Sequence, residues 1–207
     1  MSPRSYNLEK RKASTDETRT RILEAARKLL ADEASPADLS MEAVARAADV
    51  SRLTIYYQFE SRPGLLEAIY DYMASRGNMR QVAGIFQEPD PEKALEKMVK
   101  TFVEFWASDP LVIRRVRGMA ALDAEVAAGM QARDSRRRRV AGEILRRLHL
   151  HQLEPEKIEQ QKLAADVLAT LTSFETYDAL ARAGHGDQAI VDLVIKLSRA
   201  AIAGAEN

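Results

Sequence analysis

A chain of 207 residues is long enough for one large or two small domains with a substantial core. Its 31 basic and 31 acidic side chains cancel, so bulk charge names no partner and any affinity for nucleic acid must come from a local patch. The absence of cysteine excludes disulfides, thiolate nucleophiles and Cys-ligated zinc. With 46% hydrophobic and 30% charged residues but only 9 Gly and 7 Pro, the composition is globular and suited to helices. The opening "MSPRSYNLEKRKAS" lacks the apolar core of a signal peptide. No apolar run approaches the roughly 18 residues that span a bilayer, so a cytoplasmic protein is expected.

Periodicity predicts an all-α chain of about nine helices, with no alternating strand and no internal repeat. Residues 1–13 form a basic arm, in which "LEKRKAS" carries the charge. Ser14, with Glu17 three residues later, has capping-box spacing and opens the first predicted helix. Ile22, Leu23, Ala26, Leu29 and Leu30 form its apolar face. After the linker "ASPADL", Ser40 caps a short helix with Met41, Val44, Ala45 and Ala48 inward. "DVS" is a tight turn, and Ser51 caps the next helix, "RLTIYYQF". Ser61 and Pro63 then open a helix over 63–88, weakened by Gly77 and Gly84. "QEPDPEK" marks a boundary, and 89–207 forms a larger helical domain. Its helices are predicted over 92–106, from 110, over 126–150, over 155–183 and over 187–203. The last two, joined by "GHG", describe an antiparallel pair.

Residues 40–59 have the length of a helix-turn-helix. At about 100° per residue, Ile55 and Phe59 share one face, whereas the rows Arg52–Tyr56 and Leu53–Tyr57 point away from it. A major groove admits one such helix: Arg52 can pair with guanine, Leu53 and Thr54 can meet thymine methyls, and tyrosine hydroxyls with Gln58 can donate to phosphates. Arg62, at a helix N-terminus, can join a further phosphate, and the basic arm can follow the backbone or enter the minor groove. The same residues also fit an ordinary helical hairpin with half-buried tyrosines.

"RILEAARKLL", "MEAVARAADVS" and "TIYYQFESRPGLLEAI", correctly spaced over residues 14–75, resemble the N-terminal domain of the TetR (tetracycline-repressor-like) family of transcriptional regulators. The resemblance implies a DNA-binding domain over 14–62, with Arg52, Leu53, Thr54 and Tyr56 at base and nearby backbone contacts. It places Tyr57, Gln58 and Arg62 at phosphates, with Ser40 and Ser51 capping helices that approach the backbone. Asp49 stands where many relatives have Gly, Leu53 where Gly, Gln or Pro is frequent, Gln58 for the usual His, and Arg62 for a frequent Lys. These departures suggest an operator of its own.

The resemblance further implies that 89–207 binds an effector and dimerises. Dimers of the family pair through their last two long helices, for which Leu163, Val167, Leu171, Phe174, Ile190, Leu193, Val194 and Leu197 are available. Met98, Phe102, Phe105, Trp106, Met119, Leu122, Phe174 and Tyr177 lie on helices that line ligand cavities in relatives. Each also fits plain core; together they suggest an apolar or aromatic effector. The expected function is a homodimeric repressor released from a palindromic DNA operator by a small effector. The alternatives are a regulator without an inducer, an activator, one controlled by a protein partner, or an all-helical enzyme or adaptor.

"RDSRRRRVAGEILRR" holds seven arginines yet keeps an apolar stripe, which describes a solvated helix face, with acidic-ligand or DNA contacts as the alternative. Enzymatic signals are poor. "GHGDQA" follows a helix where a dinucleotide loop needs a strand. His149 and His151 are two apart and share no helix face as metal ligands, and His185 is alone in its turn. Neither cofactor nor metal is expected.

Overall fold

In the computed structural model, residues 3–32, 39–148 and 158–204 are described, the side chains of 3–12 and 158 excepted. Among the described residues all regular structure is helical. The helices are α1 (Pro3–Ala31), α2 (Met41–Ala47), α3 (Arg52–Phe59), α4 (Arg62–Arg76), α5 (Val82–Gln87), α6 (Pro91–Ser108), α7 (Pro110–Ala120), α8 (Ala124–Leu148), α9 (Ile158–Leu171), α10 (Phe174–Arg182) and α11 (Asp187–Gly204). A 3-10 turn, Met79–Gln81, precedes α5. None of these helices is long and apolar enough to cross a membrane.

The chain divides into two compact units, Met1–Met73 with Leu111–Ala127, and Ala74–Pro110 with Ala128–Asn207. These compact units differ from the division expected at 62 and 88, since residues 111–127, most of α7 among them, group with the N-terminal helices. In the first unit, Ile22, Ala26 and Leu30 of α1 are buried with Val44 of α2, Ile55 of α3 and Leu65 and Ile69 of α4. Helical periodicity brings these side chains to one face of each element, and each fully buried Leu or Ile contributes roughly 1.5–3 kcal/mol.

Local chemistry sets the ends. Ser40 Oγ accepts from Ala43 N at 3.1 Å and Ser51 Oγ from Thr54 N at 3.0 Å, so both serines cap as expected. Ser61 Oγ accepts from Gly64 N at 3.1 Å and starts α4. Between α2 and α3, Asp49 has φ 51°, a left-handed conformation that Gly adopts without cost and Asp tolerates better than most residues.

Three expected helix limits differ. α1 begins at Pro3, so Ser14 is interior and its carbonyl accepts from Thr18 Oγ1 at 2.9 Å. The residues of the expected basic arm before it contain no breaker after Pro3, and their backbone continues the helix. The helix expected over 63–88 stops at Arg76, where Asn78 turns left-handed with φ 61°. The helix expected over 155–183 is broken at Ser173, whose extended backbone (φ −76°, ψ 162°) and Oγ cap a new helix, α10. Residues 155–157 lie outside the described residues, as do His149, Leu150 and His151.

In the second unit α6 packs against α5, α10 and α11, and α11 packs on α9. Asp90 Oδ1 accepts from Glu92 N at 2.9 Å and starts α6, with Pro91 at its first position. Arg199 of α11 donates to Glu92 at 3.1 Å and Glu96 at 2.7 Å, tying α11 to α6.

The α3–α4 junction holds a close backbone approach. A Cβ on Gly64 would stand 2.3 Å from the Phe59 carbonyl oxygen, so Gly64→Ala should destabilise the fold by about 1–3 kcal/mol. Thermal denaturation checks this, and an unchanged Tm contradicts it.

Candidate nucleic-acid interface

α3 has eight residues, too few to be stable alone, so its geometry depends on what holds it. Ile55 and Phe59 are the buried residues of the helix. Arg19 of α1 completes the attachment: its Nη1 donates to the Gln58 carbonyl at 2.8 Å, and its guanidinium lies 4.4 Å from the Phe59 ring centroid. A cation at the C-terminal turn of a helix meets the negative end of its dipole. Nothing in the periodicity of α3 marks Arg19, which sequence reasoning missed. The only signal was a basic residue flanking the apolar face of α1.

The rest of α3 faces solvent. Leu53 is 79% exposed and Tyr57 84%, far beyond what an apolar core tolerates. Tyr56 is 38% exposed. Arg52 Nη2 donates to the Tyr56 hydroxyl at 3.2 Å, and its guanidinium stands 5.5 Å from that ring. This hydrogen bond pushes the Arg52 pKa up from its ordinary value, and a guanidinium is charged in any case, so the row carries a positive charge. Thr54 is half-buried and its hydroxyl pairs with Ser51 Oγ at 2.8 Å, which leaves its methyl as the contact group. Gln58 is half-buried at the edge. Arg52, Leu53, Thr54, Tyr56 and Tyr57 thus share one short helix, flanked by the capping serines Ser40 and Ser51.

Arg62 behaves differently from the expectation. Its Nε donates to the Leu39 carbonyl at 3.0 Å, Nη1 to Asp123 at 3.3 Å and Nη2 to the Met119 sulfur at 3.2 Å. Three donors are thereby engaged inside the first unit, and the residue braces α4 rather than reaching outward. Asp123 also caps α8, its Oδ1 accepting from Glu125 N at 3.0 Å and Val126 N at 3.2 Å. Met119 and Leu122 border this Arg62 cleft, so two of the eight expected effector residues fall in the first unit. Leu122 is fully solvated there.

The other six, Met98, Phe102, Phe105, Trp106, Phe174 and Tyr177, are all buried in the second unit. Trp106 is their centre: its ring centroid is 4.7 Å from Phe105, 5.6 Å from Phe174 and 6.3 Å from Phe102. Its Nε1 donates to the Thr172 carbonyl at 3.0 Å, at the break between α9 and α10. The Tyr177 hydroxyl donates to Asp187 at 3.1 Å and joins α10 to α11. Burial, with the Asp187 carboxylate beside it, pushes its pKa up to about 12.

Of the expected dimer residues, Leu163, Leu193 and Leu197 are exposed and Val167 and Leu171 half-buried. Ile190 and Val194 are not available, because α11 turns them into its own chain's core. The arginine run is also not a uniform solvated face. Arg138 pairs with Asp166 at 2.8 Å and Arg146 with Glu143 at 2.6 Å, while Arg147 donates to the Ile85 and Glu88 carbonyls. Arg137 is buried.

Comparison with known proteins places the fold. Residues 22–69 match the sequence model described as "Bacterial regulatory proteins, tetR family". No curated protein matches the chain. A TetR-like transcriptional regulator from Rhodococcus sp. RHA1 shares the fold with a TM-score of 0.66 at 21% identity, over 90% of this chain and 96% of that one. NalD, the secondary repressor of the MexAB-OprM multidrug efflux pump in Pseudomonas aeruginosa, gives 0.66 at 18% identity, over 91% and 96%. The TetR-like regulator LfrR of Mycobacterium smegmatis, in complex with proflavine, gives 0.57 at 24% identity, over 91% and 97%.

If the outward row binds DNA, Tyr56→Phe should lower affinity for a selected DNA site by about 5- to 100-fold and leave the melting temperature unchanged. Anisotropy titration and thermal melting check the two halves. A sharp fall in Tm would make Tyr56 a packing residue instead.

Proposed function

We propose that this chain, a regulatory protein with a TetR-family N-terminal domain, acts as a homodimeric repressor of transcription, not an enzyme. Its recognition helix is α3. The observation that carries the reading is the division of that helix into two buried anchors, Ile55 and Phe59, and an outward row of Arg52, Leu53, Tyr56 and Tyr57. Arg52 reads guanine, Leu53 and the Thr54 methyl meet thymine methyls, and Tyr57 and Gln58 brace the phosphates.

Dimerisation through α9 and α11 is supported by Leu163, Leu193 and Leu197, large apolar side chains left in solvent on those two helices. A twofold dimer matches a palindromic operator whose half-sites lie one DNA turn apart, roughly 34–36 Å. An apolar or aromatic effector is supported by the ring cluster around Trp106 and by LfrR, whose complex holds proflavine. Effector binding would favour a state whose half-site spacing no longer fits, a population shift rather than a new activity. α4 is one covalent route for it, since its first turns belong to the first unit and its last residues to the second, and α8 is another.

Selection of bound sequences from random duplex DNA tests the reading. It should yield a palindrome, retained over competitor DNA by two chains per site, with affinity falling linearly on a log–log salt plot. Loss of every sequence to competitor would overturn it.

A further inference from the structure

The first unit carries an open cleft that recognition of DNA by α3 does not use. Its volume is about 860 Å³, within the roughly 300–1,000 Å³ of small-molecule sites. α7 and the turn after it build one wall as two adjacent rows at helical spacing, Arg114–Gly118–Leu122 and Arg115–Met119–Asp123. Arg62 of α4 joins this wall through Asp123 and Met119. All of these lining residues belong to the first unit, whereas the rings around Trp106 belong to the second.

The lining holds three guanidinium groups and one carboxylate, and that carboxylate, Asp123, is paired with Arg62 at 3.3 Å. Arg115 is held in place by the Leu29 and Asp32 carbonyls, at 3.4 and 2.8 Å. An anion asks none of these cations to change partners. A guanidinium has several N–H donors, and its charge acts across the cleft whatever the carbonyls hold. The positive lining therefore complements a negative ligand.

The apolar part of the lining is aliphatic: Met119, the fully solvated Leu122 and the stems of Arg114 and Arg115, with no aromatic ring among the described lining residues. Gly118 lies between Arg114 and Leu122 in its row, and no described atom comes within 4 Å of a Cβ built there. Packing does not demand glycine at this place, and the missing side chain leaves the middle of the wall open. The wall runs roughly 12 Å from Arg114 to Leu122 at helical rise, cations at one end and apolar side chains at the other. The geometry points to a ligand site in the first unit for a small aliphatic carboxylate. Its chain lies along Gly118, Met119 and Leu122, and its head group meets Arg114 and Arg115.

Isothermal titration of the full-length protein with octanoate and with its neutral isostere octanamide tests it. Octanoate should bind at least about fivefold more tightly than the amide. Arg114→Gln should narrow that preference and leave octanamide unchanged. Arg114 is half-buried, so this variant can fail to fold; Gly118→Leu is the independent arm. A leucine there fills the cleft, meets no described neighbour and is a better helix former than glycine. It should abolish octanoate binding without lowering the melting temperature. Equal binding of the two compounds by the native protein, or a preference unchanged in Arg114→Gln, would overturn the anionic assignment. Binding of neither compound, or octanoate binding unchanged in Gly118→Leu, would overturn the site itself.

Discussion

An eight-residue helix that turns Arg52, Leu53, Tyr56 and Tyr57 to solvent retains few side chains to keep it in place. Ile55 and Phe59 bury against the first unit's core, and Arg19 closes the C-terminal end through the Gln58 carbonyl and the Phe59 ring. The positions of the capping serine, the left-handed Asp49 and the close approach at Gly64 all follow from this constraint. A helix this short keeps its orientation only if both ends and the inner face are fixed. Fixing them leaves the outer face free, and under the proposed function its affinity comes from groups ordered in advance. The Arg52–Tyr56 hydrogen bond is one such pre-ordered element.

The second unit is organised around a different constraint, the unfinished end of α9. The Ala169 and Thr172 carbonyls there are met by side chains, Arg137 and Trp106 respectively, and Thr172 Oγ1 adds a second donor to the Leu168 carbonyl. The aromatic cluster and the buried cation are consequences of closing that helix end.

Much of the two short helices and their outward row was legible in the sequence because it is local. Apolar spacing at Ile55 and Phe59, and serines ahead of two short helices, are decided within a few residues, and the structure follows them. The turn at Asp49 was legible from "DVS" between two short helices, though not the positive φ that Asp49 adopts there. What periodicity could not show are the long-range destinations of long, amphipathic cations. Arg62 and Arg137 look like surface charges in sequence, yet tertiary carbonyls 23 and 32 residues away draw them inward. The break at Ser173 was hidden for a similar reason: apolar spacing continues across it, and only the Trp106 hydrogen bond marks the carbonyl left open. Ile190 and Val194 share α11 with Leu193 and Leu197, and composition could not say which stripe meets its own core.

The central claim is that the outward row of α3 reads base sequence while its buried row only holds it. Leu53 tests this most directly, since it is exposed and makes no contribution to the core. Selecting bound DNA in parallel with the native protein and with Leu53→Gly should return palindromes of the same half-site spacing that differ at a few adjacent base pairs in each half-site. Identical selected sequences from the two proteins would contradict the account.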